Sequence, residues 1–287
     1  MVLENGRIPR RQRHAGTMRG PKGASYSHCE PAYGVIVRRK PAFRARKPVV
    51  YLFPPQTMHG VNVTLELSRA WSFFVVYPPA VDIPTEDGHQ AIRWTVDAHP
   101  DGTLVDKTSG LELSYLFWEA QLNRAVQPMS PPVSRPDSPV SSNVVSFDPA
   151  HPQLNPHNSV LLSIDKLSIY LDRALKALSL HTEARNSFIT YWLPYFLGHK
   201  HVALRFVPQD SYEAAAPMKV TPAPAVITRV FMLFRGVSED EIPVWAEAKD
   251  RSELSVEHWR EVVGVDSGRA EDGDLFRVLE WGGMEVL

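Results

Sequence analysis

The chain has 287 residues, of which 44% are hydrophobic and 10% aromatic, so it carries enough apolar material to bury a sizeable core. Its single cysteine, Cys29, excludes an internal disulfide, and no apolar run reaches the length of a membrane-spanning helix. We also recognise no secretory signal. These features predict a protein of the cytoplasm or the nucleus that does not enter a membrane.

The N-terminal segment is strongly basic, although the whole chain has a net charge of only −1. Residues 1–47 contain twelve Lys and Arg against two acidic residues, Glu4 and Glu30. Gly and Pro interrupt this segment, and aromatic residues do not alternate with its charges as they do where proteins stack nucleic-acid bases. We predict a disordered basic tail over 1–47, open to an acidic partner and poorly suited to nucleic acid.

Residues 48–125 have the alternation and the β-branched or aromatic enrichment that are typical of strands with one buried face. Several of these runs stop at turn signals, including the pairs Pro54-Pro55 and Pro78-Pro79. The pattern predicts an antiparallel, sandwich-like β-rich half. The expected strands cover residues 49–53, 61–67, 71–77, 92–98, 104–105 and 111–119.

A tract rich in proline and serine separates this half from the next. Residues 126–156 contain eight prolines and six serines in 31 positions, a composition that cannot bury enough apolar surface to offset the entropy of ordering the chain. We therefore predict a disordered, exposed insert over 126–156.

Residues 157–287 begin with a helical pattern and return to strands. One apolar stripe predicts a helix over 164–179, with Ser163 as its N-cap. Thr182 can cap a second helix that Pro194 should kink or end, which gives a helical hairpin. Further strands are predicted at 202–207, 226–235 and 275–281. We expect one α+β unit, with a β-sandwich carrying an appended hairpin, or two separate domains, as alternatives.

Two glutamates near the ends of apolar strands are the candidate catalytic residues. Alternation places Glu119 on the face of Tyr115 and places Glu280 on the face of Val278. Both carboxyls should therefore be at least partly buried, and a buried carboxylate needs a partner. If they act as acid and base, they should approach within roughly 5 to 9.5 Å across an open cleft.

Aromatic residues near these strand ends could provide stacking platforms for a sugar. The candidate binding residues are Tyr115, Trp118, Tyr191, Trp192, Arg229 and Trp281. In the alternative interpretation, Arg229 forms a buried ion pair with a glutamate, and that pair only fixes the arrangement of strands. The sequence leaves both interpretations open.

No motif for a metal or a cofactor is complete. His199-Lys200-His201 would place two imidazoles on one face of a strand, but this is only half of a metal site. The glycine patterns of dinucleotide-binding and phosphate-binding loops are missing, and so is the nucleophile elbow of hydrolases. We therefore predict neither a metal nor a cofactor.

Five phrases carry a family resemblance: KPVVYLFPP at 47–55, SYLFWE at 114–119, FITYWLP at 188–194, RVFM at 229–232 and LEWGG at 279–283. They resemble phrases of a family of uncharacterised fungal and bacterial proteins. The resemblance spans most of residues 47–287 and implies that both halves belong to one unit with an insert. It implies no activity.

The sequence assembles no complete catalytic constellation, so we expect a binding or interaction module. The alternative function is a hydrolase-type enzyme, acting for example on carbohydrate, with Glu119 and Glu280 as acid and base.

Overall fold

The computed structural model describes residues 44–85, 88–123 and 147–286. Most of the predicted tail and the predicted insert up to residue 146 lie outside the described residues. The remainder of the chain belongs to one compact unit. No helix within the described ranges is long and apolar enough to cross a membrane.

Two β-sheets make up most of the described fold. Within the described residues, the strands in chain order are β1 (Arg44–Phe53), β2 (Met58–Glu66), β3 (Trp71–Tyr77), β4 (Val81–Ile83), β5 (Ala91–Ala98), β6 (Leu104–Asp106), β7 (Glu112–Leu113), β8 (Leu116–Leu122), β9 (Val160–Ser163), β10 (His201–Val207), β11 (Met218–Thr221), β12 (Val226–Val237) and β13 (Arg277–Glu285). The central sheet has the order β3-β8-β1-β13-β12-β10-β9, and the second has the order β11-β2-β5-β6-β7 with β4 paired to β5. Each sheet therefore combines strands from both halves of the sequence.

Two longer helices form the hairpin, and shorter helices follow. In chain order, the described helices are α1 (Ile164–Ala177), α2 (Thr182–Phe196), α3 (Gln209–Ala215), α4 (Ala246–Arg251), α5 (His258–Val263) and α6 (Ser267–Ala270). In α1, one stripe that includes Leu167 and Leu171 is buried, and the charges of Asp165 and Lys176 complement the helix dipole. Helix formation therefore follows from local signals.

The middle strands of the central sheet are buried on both faces. Helices α1, α2 and α5 pack on one face, which we call the helix face, and the second sheet packs on the other, which we call the sheet face. In β1, Val49 and Tyr51 point to the helix face, whereas Val50 and Leu52 point to the sheet face. A strand with apolar residues at both alternating positions is what burial between two layers requires.

The predicted strand-rich α+β fold with a helical hairpin is confirmed, with some differences in the elements. The strand predicted over 111–119 is broken, because Ser114 and Tyr115 separate β7 from β8. Pro194 lies inside α2 near its C-terminal end, and His181 rather than Thr182 occupies the N-cap position. Proline has no N–H to donate to the carbonyl four residues earlier, and α2 ends two residues beyond it.

Two predicted boundaries differ from the structure. Strand β1 begins at Arg44, inside the predicted tail, and Ala45 is fully buried. At the other boundary, residues 147–156 lie within the described chain rather than in an exposed insert. Phe147 packs against Trp71 and Phe231, with ring centroids 5.9 and 5.7 Å apart, because one large aromatic side chain outweighs the polar composition around it.

Candidate functional site

A β-bulge interrupts β1 in the middle of the central sheet. The register of β1 shifts between Arg46 and Val49 against β13, and it shifts in the same region against β8. Lys47, within the bulge, has a φ of 51°. Positive φ is uncommon for a residue other than glycine, so the surrounding structure must stabilise this conformation.

Glu119 stabilises the bulge through its carboxylate. Its Oε1 atom accepts a hydrogen bond from the Lys47 backbone N–H at 3.2 Å and another from the Tyr191 hydroxyl at 3.3 Å. Burial raises the pKa of Tyr191, and the Glu119 charge raises it further, so this hydroxyl stays protonated as a donor. Glu119 therefore connects β8, the bulge and α2.

Two consecutive glycines of β13 give the bulge and α2 the space that they need. A Cβ atom on Gly282 would lie 3.0 Å from Cγ of Pro48 and 3.1 Å from its Cα. A Cβ atom on Gly283 would lie 2.9 Å from the carbonyl oxygen of Met232 and 2.9 Å from the ring of Trp192. All four distances are shorter than ordinary van der Waals contacts of a Cβ atom. A side chain at either position would therefore displace its neighbours.

The bulge directs the Lys47 side chain into a group of aromatic rings. Its Nζ atom lies 5.3 Å from the ring centroid of Tyr191, 5.7 Å from that of Trp281 and 5.9 Å from that of Tyr115. Such contacts attract a cation to the ring faces. Partial burial lowers the pKa of the Lys47 ammonium, and the negative charge of Glu183 opposes this effect. Among the described residues, no carboxylate lies within ion-pair distance of Nζ.

An open cavity of about 590 Å³ adjoins this lysine. We call it the Lys47 cleft; its lining includes Lys47, Tyr77, Glu112, Tyr115, Phe117 and Tyr191. Its volume falls in the range of small-molecule sites, roughly 300 to 1,000 Å³. The cleft combines one cation, aromatic rings and a carboxylate from the exposed Glu112.

Glu280 has a different environment, on the sheet face. Its side chain is fully buried; Oε1 accepts a hydrogen bond from Trp118 Nε1 at 2.9 Å, and Oε2 accepts one from Arg229 Nε at 2.6 Å. Arg229 also donates to the Ala216 carbonyl at 2.7 Å and forms an ion pair with Glu213. Burial alone would lower the pKa of Arg229, but the negative charges around it, with Glu280 foremost, raise it above its ordinary value.

The predicted acid/base pair is therefore wrong. Glu119 contacts Tyr191 on the helix face, whereas Glu280 contacts Trp118 and Arg229 on the sheet face, so the central sheet separates the two carboxyls. Glu280 has no exposed surface at all. The buried ion pair between Arg229 and a glutamate, which was the alternative interpretation, is present in the structure.

The six predicted binding residues divide into three groups. Tyr115, Tyr191 and Trp281 surround Lys47 and form part of one site. Trp118 and Arg229 belong to the buried network around Glu280.

The sixth residue, Trp192, is fully buried on the helix face and packs edge-on against Phe234 at 5.2 Å. Of the six residues, Tyr115 and Tyr191 line the open cleft, whereas Trp281 is fully buried behind Lys47.

The sequence interpretation missed Lys47 itself, together with Tyr77 and Phe117. Lys47 stood at the boundary between the predicted tail and the first strand. One signal was available, because the Lys47-Pro48 pair interrupts the alternation of a strand that extends on both sides. A proline within a central strand is typical of a bulge.

The His199-Lys200-His201 motif gains no further candidate metal ligands from the described residues. Among the described residues, no group of three or more His, Cys, Asp or Glu side chains could hold a metal ion. His199 instead lies 3.8 Å from Glu285.

Comparison of the chain with protein-family models, with curated proteins and with solved structures finds no match. The family resemblance based on the five sequence phrases therefore stays a prediction.

Proposed function

We propose that the protein is a ligand-binding module without catalytic turnover, and that its ligand binds in the Lys47 cleft. One observation carries this proposal. A strained bulge, held by Glu119, places the Lys47 ammonium among three aromatic rings, with no described carboxylate within ion-pair distance. Backbone strain of this kind is concentrated at functional sites, because the surrounding structure must maintain it.

The lining of the cleft favours a particular ligand chemistry. Lys47 provides a cation that an anionic group of the ligand can neutralise, and such a charge-assisted hydrogen bond is stronger than a neutral one. Tyr77, Tyr115 and Phe117 offer ring surfaces to a flat apolar face. Glu112 can accept hydrogen bonds from hydroxyl groups. A saccharide that carries a carboxylate combines all three features.

The arrangement of carboxylates supports binding rather than hydrolysis. A glycosidase needs two carboxyls on either side of the scissile bond. Glu280 lies on the opposite face of the sheet, and Oε1 of Glu119 already accepts two hydrogen bonds that hold the bulge. No acid/base pair formed by Glu119 and Glu280 is therefore available at the cleft.

A calorimetric titration with trigalacturonate and with its fully methyl-esterified form tests this function. The two probes share the sugar rings and differ in charge. We expect the ester to bind the wild-type protein at least about tenfold more weakly, because it loses the charge-assisted contact with Lys47. The variant Lys47→Met should bind both probes equally, since it keeps the length of the side chain and removes its charge.

Lys219→Met is the matched control, because Lys219 is an exposed lysine in β11, on the second sheet. It should bind both probes as the wild type does. Equal affinity of the wild type for acid and ester, or unchanged discrimination in Lys47→Met, would contradict the proposed site. Release of galacturonate during incubation with the trisaccharide would contradict the absence of turnover.

A further inference from the structure

A second cavity, of about 630 Å³, lies where β10 ends and the chain turns towards α3. Its apolar wall includes Phe147, Val207 and Leu233, and all three side chains also belong to the core of the sheet face. The segment around Gln153 and the end of α5 complete the lining. None of these residues lines the Lys47 cleft, so the two cavities are distinct.

Arg205 brings an unneutralised charge to this cavity. Its Nη1 atom donates to the Gln153 carbonyl at 3.1 Å, but its Nε atom is buried and has no hydrogen-bond partner. Within the described chain, no carboxylate lies within ion-pair distance of its guanidinium. Burial lowers the pKa of Arg205, and no nearby charge offsets this effect. A partly buried cation without a counter-charge is costly, and an anionic ligand would remove that cost.

The acidic groups of the lining lie further out and limit the charge of the ligand. Asp148, Asp210 and Glu261 are exposed, and Asp148 already pairs with His151 at 2.8 Å. These carboxylates would repel an anion with several charges more strongly than a monoanion. The apolar wall, for its part, requires a ligand with an apolar body.

We propose that this cavity binds a small organic monocarboxylate. The carboxylate accepts charge-assisted hydrogen bonds from the Arg205 guanidinium. The apolar body of the ligand packs against Phe147, Val207 and Leu233. This site operates independently of the Lys47 cleft, since it uses a different cation on a different part of the central sheet.

Phenylacetate and phenylacetamide are matched probes for this site, because they share size and ring and differ in charge. We expect phenylacetate to bind at least about tenfold more tightly in calorimetric titrations. In a ¹⁵N-edited NMR spectrum, the Nε–Hε signal that disappears in Arg205→Gln should shift on addition of phenylacetate to the wild type. Inorganic phosphate should produce a smaller shift at the same concentration.

The variants separate the two cavities. Arg205→Gln should lose the preference for phenylacetate, whereas Lys47→Met and the exposed control Arg93→Gln should keep it. Equal binding of phenylacetamide, an unchanged Nε–Hε signal or stronger binding of phosphate would overturn the proposal. Should Arg205→Gln fail to fold, the comparison of phenylacetate with phenylacetamide in the wild type still decides between these outcomes.

Discussion

The two faces of the central sheet each contain a glutamate in a similar sequence context, yet the two side chains have different roles. Glu280 is fully buried on the sheet face and is neutralised by Arg229. Glu119 is half-buried on the helix face and holds the backbone of Lys47. A fully buried carboxylate must be paired, and pairing occupies its oxygens. A half-buried carboxylate can instead organise the edge of an open cleft.

This comparison predicts that Glu280→Gln destabilises the protein most. The substitution leaves Arg229 buried with less negative charge around it, and breaking a buried pair costs about 3 to 5 kcal/mol. We expect the lower end of that range, because Glu213 still pairs with Arg229. Urea unfolding measures the change in the free energy of unfolding.

The exposed Glu112 provides the control for this variant, and Glu112→Gln should change stability by less than about 0.5 kcal/mol. The double variant Glu280→Leu with Arg229→Met removes both charges and should be more stable than Glu280→Gln. A loss below about 1 kcal/mol in Glu280→Gln would mean that the buried network does not depend on this charge.

The next effect concerns the glycines that allow the bulge and α2 to approach β13. In Gly283→Ala, the new methyl group would meet the Met232 carbonyl and the Trp192 ring, so we expect a loss of about 1 to 3 kcal/mol. Gly273→Ala is the control, because a Cβ atom there meets nothing within 4 Å. Equal unfolding free energies for the two variants would remove the argument for close packing.

Glu119→Gln should have a smaller effect than either of these variants. The amide oxygen can still accept hydrogen bonds from Lys47 N–H and the Tyr191 hydroxyl, so only the charge-assisted part is lost, about 1 kcal/mol. Thermal and urea unfolding compare this variant with Glu280→Gln. A loss as large as that of Glu280→Gln would show that neutralising the half-buried glutamate costs as much as neutralising the fully buried one.

The last prediction concerns Tyr170, on the helix face, whose titration should change the stability of the protein only at alkaline pH. Burial raises the pKa of its hydroxyl to about 12, and the hydrogen bond from Trp259 Nε1 at 2.9 Å partly opposes this shift. Because the folded pKa exceeds the unfolded value of about 10, the stabilisation is present below pH 10 and is lost as the pH rises through 12. Unfolding midpoints between pH 8 and 12 measure this loss.

Tyr170→Phe should abolish the part of the alkaline pH dependence that Tyr170 causes. The control Tyr77→Phe, at a position with 47% exposure, should keep the pH dependence of the wild type. Identical pH profiles for wild type and Tyr170→Phe would contradict the assignment.

The sequence predicted the helices and strands better than it predicted which side chains from distant elements lie next to each other. Alternation and helical periodicity depend on neighbours in the chain, so the strands and the α1–α2 hairpin followed from them. Arg229 was also found, because its strand face was apolar. Whether Glu119 and Glu280 lie on the same face of the central sheet depends on how β8, β1 and β13 pair. Those strands are distant in sequence. No local pattern contains that information.

The Lys47 cleft depends on the same kind of distant contact. The bulge at Lys47 is held by a hydrogen bond to Glu119, 72 residues away, and by the space that Gly282 leaves for Pro48. The sequence contained a trace of the bulge in Pro48, but nothing that joined the bulge to its partners. Aromatic residues from β8, α2 and β13 were named as binding candidates, whereas the cation among them was not.

The central claim is that Lys47 lies among aromatic rings in order to meet an anionic ligand, and side-chain NMR of Lys47 tests it most directly. The Hε protons of Lys47, identified by their loss in Lys47→Met, should resonate upfield of the other lysines because of the ring currents of Tyr115, Tyr191 and Trp281. They should move further on addition of trigalacturonate and move less with its methyl ester at the same concentration. Lysine signals that all lie at the position of a solvated side chain, and that do not respond to trigalacturonate, would contradict the claim.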